Sequence, residues 1–390
     1  CFDTSGVHTG ADVVAAVGSW RDKPITHLLY THGHADHVGG SAAFAAHAQN
    51  RNDQRPTVIG HENIAARIQR YRDTSDWNLI INARQFGGIN SDMNLSVGGA
   101  SAGITVSEVK TQARKFLPDG TLLPDQTFAT EHRMTLGGTE VELHHARGET
   151  DDHLWCFIPE KKWIMTGDFV IWNFPNAGNP QKVQRYPIDW ANALRRMIAQ
   201  QPELLLPAHG LPIEGKERIA RVLGEIAMAL ENLTSEVLQM MNSGHTLNDI
   251  VHTVRVPADT IALPYLRPLY DEPEFVVHNV WRQFGGWWDG EASHLKPSRN
   301  AELGSALAAL AGGPMVLINR AMEAMNEGDH RLACELADFA GWAAPDDPEV
   351  HEARSLIFNQ RRKVELSLMA KGIYKAAARE SDEIVKRARG

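Results

Sequence analysis

The sequence predicts an α/β domain followed by an all-α helical domain, and three observations support this. Up to about residue 222, short apolar runs typical of strands alternate with segments of helical periodicity. Beyond that point, apolar residues recur at helical spacing almost to the carboxyl end. The length of 390 residues also exceeds what one hydrophobic core usually supports. We therefore expect two domains, over residues 1–222 and 223–390.

In the first domain, the predicted helices cover residues 11–20, 41–48, 64–71 and 188–200. The predicted strands cover residues 25–30, 56–61, 126–129, 133–136, 141–144, 154–158, 163–166 and 203–207. Gly137-Gly138, between two of these strands, is a hairpin signal. The irregular stretch from Arg72 to Pro124 is expected to roof the functional site, because long loops in compact domains are usually functional.

The second domain is predicted to begin with a long amphipathic helix over 217–242 and a shorter one over 246–254. Later segments, at 319–327, 331–343 and 349–363, resemble helix pairs of tetratricopeptide type. Such a domain favours a structural role. Its tryptophans Trp281, Trp287 and Trp288 would ordinarily be core residues, but they also suit the wall of an apolar substrate channel or a dimer surface.

Composition narrows the classes of function. The net charge of −9 argues against a nucleic-acid partner, because a polyanion requires a basic face. No run of 18 apolar residues exists, so no transmembrane segment is predicted. Cys1, Cys156 and Cys334 are far apart and odd in number, which predicts neither a disulfide framework nor a thiolate metal site. This slightly favours the cytoplasm; a periplasmic or secreted location stays open because the native amino terminus is not visible.

One heptad, Thr31 to His37, packs three imidazoles and a carboxylate into the turn after the strand at 25–30. The histidines are His32, His34 and His37, and the carboxylate is Asp36. Histidine is the commonest nitrogen ligand, and Asp suits a hard divalent cation. A solvated His-rich loop is the alternative, but 18 histidines spread over 390 residues would rarely cluster in this way. The heptad therefore predicts a metal site.

Three further strand-like segments end in a nitrogen or oxygen ligand. The strand at 141–144 runs into a loop with Glu149 and His153, the strand at 163–166 ends at Asp168, and the strand at 203–207 ends at His209. Strands of an α/β sheet that deliver ligands to one edge commonly build a site. Taken singly, Asp168 and His209 could be turn or cap residues, and Glu149 a solvated loop acid. The repetition is our reason to expect that they meet.

These residues resemble the metallo-β-lactamase superfamily of binuclear metal hydrolases. The H-x-H-x-D-H sequence of that family matches residues 32–37, Gly167-Asp168 resembles its bridging carboxylate, and Pro207-Ala208-His209 its last ligand. Asp3-Thr4-Ser5-Gly6 resembles the strand end that precedes the motif. The resemblance implies an αββα sandwich from which amino-terminal strands are missing. Because no signal peptide explains a start at Cys1, we expect the numbered chain to begin inside a longer polypeptide.

One departure from the family is informative. Many members carry a histidine where this chain has Glu149, four residues before His153. Alkyl sulfatases of the superfamily resemble this chain in using Glu there, which favours Glu149 as a metal ligand and leaves His153 as a supporting or acid–base residue. Those enzymes use Glu where this chain has Asp168, so the match to them is partial. Segments 266–275 and 281–290 resemble the alkyl-sulfatase dimerisation domain and imply a homodimer formed through the helical domain.

The resemblance implies two divalent metal ions, with zinc as the default and iron or manganese as alternatives. Two sets of ligands and one bridging carboxylate are expected: His32, His34 and Glu149; Asp36, His37 and His209; and Asp168 as the bridge. Two adjacent cations lower the pKa of a shared water to near neutrality, which gives a hydroxide nucleophile. Asp36 and His153 are the predicted catalytic residues.

A sulfate or phosphate ester also needs cationic contacts besides the metals. Lys182 and Arg185 follow Asp168 by a short loop, and Arg is suited to a bidentate grip on such oxyanions. Ordinary surface charge is the alternative for both. Asn173 and Asn176 are weaker candidates for the same contacts.

The predicted function is hydrolysis of an alkyl sulfate ester by a metal-bridging hydroxide. Another ester, a lactone, a lactam or a phosphodiester is the alternative substrate for the same site. A different class of function, a di-iron redox or metal-sensing protein, would use the same ligands, and a third makes the chain chiefly an assembly module. The expected partner is a small molecule with an apolar portion.

Overall fold

Two β-sheets form the centre of the computed structural model, which describes residues 1–86 and 115–390. The first sheet is parallel, with strand order β1-β2-β3: β1 His27–Leu29, β2 Thr57–His61 and β3 Gln126–Phe128. The second sheet has six strands in sequence order: β4 Glu131–Leu136, β5 Thr139–His145, β6 Leu154–Ile158, β7 Trp163–Gly167, β8 Leu204–Pro207 and β9 Ile213–Glu214. Its neighbours are antiparallel except β7 and β8, which are parallel.

The side chains of successive strand residues face opposite sides of the two sheets and so divide this part of the fold into layers. Leu28 of β1 packs with helical residues on the outer face of the first sheet, whereas Leu29 lies in a core shared with Leu143 and Cys156 of the second sheet. Trp155 of β6 points to the other side of that sheet, into a core built with further helices. This period of two is what a strand buried on both faces requires. The predicted αββα sandwich is confirmed.

The α-helices described before residue 288 are α1 Gly10–Trp20, α2 Ala35–Val38, α3 Ser41–Asn50, α4 Ile64–Asp73, α5 Ser75–Gln85, α6 Pro187–Ala199, α7 Lys216–Asn242, α8 Leu247–Thr253, α9 Ala258–Ile261 and α10 Pro273–Gly285. Helix α5 lies within the stretch for which the sequence predicted an irregular roof over the site. Residues 87–114 of that predicted roof lie outside the described residues.

The described residues form two compact units, one of residues 1–79 and 115–287 and the other of residues 80–86 and 288–390. The predicted boundary between 222 and 223 falls inside α7, so the units divide later along the chain than the sequence indicated. The physical reason is burial: Leu223, Ile226 and Leu230 of α7 belong to the same core as Trp155 and Ile164 of the second sheet. The amphipathic pattern of α7 identified a helix but not the sheet that it covers.

The second unit is helical, as predicted, and includes α11 Asn300–Ala311, α12 Pro314–Glu327, α13 His330–Ala343, α14 Pro348–Val364 and α15 Leu368–Arg389. Left-handed glycines end two of these helices, Gly312 at φ +99° and Gly328 at φ +87°, where the absence of a Cβ removes the steric cost. Among the described residues, no single helix is long and apolar enough to cross a membrane; α11 and α12, bent by 85°, pass such a test only when joined.

Trp287 and Trp288 lie beyond the end of α10 and are exposed, so these two are not core residues. Trp281, within the helix, packs partly buried against the main core of the first unit.

Candidate metal centre

Four strand ends of the first unit deliver seven ligand-type side chains to one place. They come from the loop and short helix α2 after β1, the loop after β5, the end of β7 and the loop after β8: His32, His34, Asp36, His37, Glu149, Asp168 and His209. These are the seven ligands that the sequence predicted. Their ligand atoms form two groups, and within each group all of them lie within 4.8 Å of one another. Side chains separated by up to 177 positions are therefore brought together by the fold.

The first group consists of His32, His34, Glu149 and Asp168. His32 Nε2 lies 2.9 Å from His34 Nδ1 and 3.9 Å from Asp168 Oδ2. His34 Nδ1 lies 3.5 Å from Glu149 Oε1. Of the four, only His34 is more than slightly accessible to solvent. The group is a nearly enclosed set of nitrogen and oxygen donors.

The second group consists of Asp36, His37 and His209. Asp36 Oδ2 lies 3.5 Å from His37 Nε2 and 3.4 Å from His209 Nε2. Asp168 faces this group through its other oxygen, Oδ1, which lies 3.3 Å from His37 Nε2 and 3.5 Å from His209 Nε2. Because its two oxygens face different groups, Asp168 has the geometry of a bridging carboxylate.

The donors of both groups suit divalent metal ions. Imidazole and carboxylate ligands are the set that zinc and other first-row divalent cations take. Three buried atoms of these ligand-type side chains have no hydrogen-bond partner in the part of the chain that the structure describes: His37 Nε2, Glu149 Oε2 and Asp168 Oδ1. Buried polar atoms are normally paired, so these orphaned atoms are explained by cations that they would bind. The residues present therefore fit a binuclear centre.

Burial and charge set the protonation of the cluster. Burial lowers the pKa of His32 and His34 well below the usual range, so both rings are neutral and offer a lone pair. Burial raises the pKa of Asp168, but His37 and His209 outweigh it and hold that pKa well below its ordinary value. Burial raises the pKa of Glu149 to about 8, a raised value that a nearby cation would oppose.

Asp3 supports the second group by contacting His37 on Nδ1, the ring nitrogen opposite the one that faces the cluster. Its Oδ2 lies 2.9 Å from Nδ1 of His37 and accepts the hydroxyl of Thr31 at 2.8 Å, while its Oδ1 accepts the Thr31 backbone N–H at 2.7 Å. A carboxylate on the far nitrogen of a ligating histidine fixes the ring and makes it a better ligand. In the sequence, Asp3 stands out only as part of a strand-end motif. Its role could have been inferred from His37, because a ligating histidine usually has a carboxylate or carbonyl partner on its other ring nitrogen.

Asp152 supports the first group, a role that no sequence pattern indicated. One oxygen of this fully buried carboxylate accepts the backbone N–H of Gly33, between the two histidines of the first group, at 2.9 Å. The other accepts Nε of Arg67 at 2.9 Å, and Arg67 also pairs with Asp151. A buried carboxylate is stable only when it is paired in this way. Asp152 thereby ties α4 to the turn that carries His32 and His34.

His153 is buried beside the bridging carboxylate. Its Nε2 accepts the backbone N–H of Asp168 at 3.2 Å, and its ring stacks on Phe169 with centroids 4.2 Å apart. Burial lowers the pKa of His153 to about 3, so the ring is neutral and can accept this hydrogen bond. Of the two roles that the sequence left open, the support of a neighbouring ligand is the one that this geometry favours.

Of the four residues predicted to contact substrate, two contact Glu149 instead and two do not. Arg185 and Asn176 are buried and both donate to Oε1 of Glu149, with Arg185 Nη1 at 2.5 Å. Ordinary surface charge is therefore wrong for Arg185. Lys182 is half-buried, and burial lowers its pKa to about 8. Asn173 donates to the carbonyl of Ile171 at 3.2 Å.

Comparison with known proteins yields two family models. The model for the metallo-beta-lactamase superfamily matches residues 5–61, and the model for alkyl sulfatase dimerisation matches residues 246–383. The first match covers the heptad, and the second begins just after α7. Both parts of the resemblance inferred from the sequence motifs are confirmed.

Curated relatives and solved structures agree with these matches. A linear primary-alkylsulfatase from Pseudomonas sp. is 24% identical over 385 residues, covering 94% of this chain and 69% of that protein. An alkyl/aryl-sulfatase from Saccharomyces cerevisiae is 21% identical, covering 86% of this chain and 51% of that protein. The structure of a stereoselective inverting sec-alkylsulfatase from Pseudomonas sp. matches 97% of this chain and 60% of that one, with a TM-score of 0.81 at 19% identity. The chain thus has the same fold as a protein that is considerably longer.

Proposed function

We propose that this chain, which joins a metallo-β-lactamase fold to an alkyl sulfatase dimerisation region, is a binuclear metal-dependent hydrolase of alkyl sulfate esters. The observation that carries the proposal is the pair of ligand groups that share Asp168. The names of the similar proteins favour a sulfate ester over other substrates.

Each residue of the cluster has a role in this proposal. His32, His34 and Glu149 would hold one divalent cation, Asp36, His37 and His209 the other, with Asp168 between them. When bound, such cations lower the pKa of coordinated water toward neutrality and polarise the ester that is cleaved. Zinc is our default for these ligands, as it is for many sites of nitrogen and oxygen donors.

The protein's own contribution is to hold these groups in place and to receive the substrate. The Asp36 side chain is 30% exposed, whereas the Glu149 and Asp168 side chains are nearly buried. Asp36 therefore lies at the accessible side of the cluster, where it would accept a hydrogen bond from the attacking water. We assign contact with the sulfate oxygens to Lys182, which is half-buried on the loop after Asp168 and whose ammonium, with a pKa of about 8, carries charge at neutral pH.

The test is a side-by-side assay of a medium-chain alkyl sulfate, a phosphodiester and a lactone. The protein is stripped with a chelator and then reloaded with zinc, manganese or iron, and its metal content is measured alongside the rates. We expect no turnover without metal, recovery on reloading, and the highest kcat/KM with the alkyl sulfate. Full activity in the metal-free protein would refute the proposal. Faster cleavage of the lactone or phosphodiester would show that the alkyl sulfate is not the preferred substrate. An optical spectrum of the protein as isolated tests the di-iron alternative, because zinc is colourless.

We also propose that the chain forms a homodimer through the region that matches the dimerisation model. The support is that match over residues 246–383. Light scattering coupled to size exclusion measures the mass directly, and a monomer at micromolar concentration would contradict the proposal.

A further inference from the structure

A loop between the bridging carboxylate and helix α6, residues 174–186, carries the two side chains that contact Glu149. Arg185 Nη1 lies 2.5 Å from Glu149 Oε1, and the Asn176 side-chain amide donates to the same oxygen. Arg185 also donates to the Asn176 carbonyl at 3.1 Å, which couples the two donors. Within the described part of the chain, Glu149 Oε2 has no hydrogen-bond partner. The oxygen that the loop fixes, Oε1, is also the one that lies 3.5 Å from His34 Nδ1, so the loop sets how Glu149 faces the first ligand group.

Asn279 of α10 holds this loop at two points. Its side-chain amide donates to the carbonyls of Ala177 at 3.0 Å and Arg185 at 2.9 Å, and its Oδ1 accepts the backbone N–H of Arg185 at 3.3 Å. Arg282, one turn further along, donates to the same Oδ1 at 2.9 Å, which sets the orientation of the amide. Asn279 is buried, so the carbonyls that it satisfies have little access to water.

Asp271, just before α10, holds the middle of the same loop. Its buried Oδ2 accepts the backbone N–H groups of Gly178 at 2.6 Å and Asn179 at 3.1 Å. The approach is close: a Cβ on Gly178 would lie 2.4 Å from the carbonyl carbon of Phe275. Asn179 adopts the left-handed region at φ +41°, an unusual conformation for a residue other than glycine. Side-chain hydrogen bonds and backbone packing therefore fix this loop on the start of α10.

We propose that Asn279 and Asp271 are positioning residues for the metal centre, because they fix the loop from which Arg185 and Asn176 hold Glu149. The proposal rests on the metal-dependent function above and adds a connection to it. Both residues lie within the region that matches the dimerisation model, so part of that region supports a metal ligand in the first unit. Removing either one would loosen the loop, release Arg185 from its fixed position and leave Glu149 less firmly oriented.

Metal titration tests this directly. The metal-free protein is titrated with Zn²⁺ in competition with a chromophoric chelator that resolves two binding steps. Glu149→Gln and His209→Ala serve as references, because each should weaken the binding step of its own ligand group. We name these two Zn²⁺ binding steps the Glu149 step and the His209 step. We expect Asn279→Ala and Asp271→Ala to weaken the Glu149 step by about 10–100-fold, the usual loss for an outer partner of a ligand. The His209 step should change by less than about threefold. Asp271→Asn, which keeps an acceptor oxygen for the loop, should recover part of the affinity.

A matched control separates positioning from general destabilisation. Val280→Ala removes a fully buried side chain from the same helix, and Val280 belongs to the apolar core rather than to the hydrogen bonds of the loop. It should lower the unfolding midpoint and leave the ratio of the two Zn²⁺ affinities unchanged. The proposal is overturned if Asn279→Ala leaves that ratio as Val280→Ala does.

A milder variant covers the case in which Asn279→Ala does not fold. Gln184 is half-buried and donates to the carbonyls of Arg185 at 2.7 Å and Asn279 at 3.1 Å. Gln184→Ala should weaken the Glu149 step severalfold, and an unchanged or evenly lowered pair of affinities would contradict the proposal. Failure of the proposed function looks different: the wild-type chain would bind Zn²⁺ in two steps but cleave no alkyl sulfate.

Discussion

The two ligand groups differ in how far the protein encloses them. Side chains of the first group range from fully buried His32 to His34 at 15% exposed, and Glu149 is 3% exposed. In the second group, by contrast, Asp36 is 30% and His209 is 37% exposed. The second group therefore lies on the solvent side of the cluster. If the proposed cations are bound, we expect chelator to reach the second group first and a cation held there to exchange faster.

The groups also differ in what holds their ligands in place. Charged side chains distant in the sequence fix the first group, with Arg185 on Glu149 and Asp152 on Gly33. In the second group the carboxylate of Asp3 fixes His37, and constrained backbone lies beside His209. Trp172, at φ +54°, donates its indole N–H to the carbonyl of Leu211 at 2.8 Å and thereby contacts the turn after His209. A bulky side chain at positive φ is costly, and such strain is found where the surroundings enforce a functional geometry.

Asp168→Ala is expected to have the largest effect, because Asp168 is the only one of the seven ligands that faces both groups. Both Zn²⁺ steps should weaken, and kcat/KM should fall by well over the 100-fold that outer partners cost. His32→Ala is the comparison, since it should remove the first ion and leave the His209 step. Metal content per chain and kcat/KM measure both effects. Retention of two tightly bound ions in Asp168→Ala would exclude the bridging role.

Asp3→Ala should weaken the second group more than the first, because Asp3 contacts His37 directly but reaches His32 only through the Thr31 hydroxyl, which lies 3.0 Å from His32 Nδ1. Its carboxylate fixes His37 through Nδ1, and the loss of such a partner costs about 10–100-fold in metal affinity. Asp3→Asn, which keeps one acceptor oxygen, should lose less. The two-step Zn²⁺ titration reads the result, and equal weakening of both steps would show that Asp3 serves general stability instead.

Gly210→Ala should also act on the second group, with a smaller effect. A Cβ at Gly210 would lie 2.2 Å from Cδ1 of Trp172, so the indole or the turn beside His209 must move. We expect about tenfold weaker Zn²⁺ binding in the His209 step, within the range for disturbed ligand support. Gly215→Ala is the control, because Gly215 has the same left-handed φ of +100° but nothing within 4 Å of its Cβ position. If both variants lose the same affinity, backbone strain rather than contact with Trp172 is responsible.

The smallest expected effect is a pH dependence that arises in the support of the first group. Burial raises the pKa of Asp271 to about 6, although backbone N–H donors oppose it. Because this folded-state pKa lies above the unfolded value near 3.9, the folded state binds the proton more readily between about pH 4 and pH 6. This residue's contribution to the free energy of unfolding should therefore fall as pH rises through that window. Urea unfolding of the metal-free protein at pH 4.5 and 7 measures it, and Asp271→Asn should lose this component. An identical pH profile in that variant would contradict the assignment.

The ligands could be predicted from the sequence because each one follows a strand and a local turn. His32 and His34 stand in one short motif, and Asp168 and His209 follow apolar strands directly. Their supporting partners left no such pattern. Asp152 contacts Gly33 across 119 positions, and Asn279 contacts the backbone at Arg185 across 94. The sequence predicted Arg185 as a functional residue but did not predict its contact with Glu149. A cation that follows a strand suits a substrate oxyanion as well as a buried carboxylate.

By itself, the sequence indicated every strand except β9 and most of the helices, because periodicity and turn chemistry are properties of neighbouring residues. Its motifs, read through the family resemblance, indicated the seven candidate ligands. Only the tertiary structure decided that α7 belongs to the first unit, that Asp168 turns one oxygen to each group, and that a segment near α10 supports Glu149. The physical reason is that burial and hydrogen bonding between remote segments depend on how the layers pack. A local pattern shows which face of an element is apolar, but not which partner covers it.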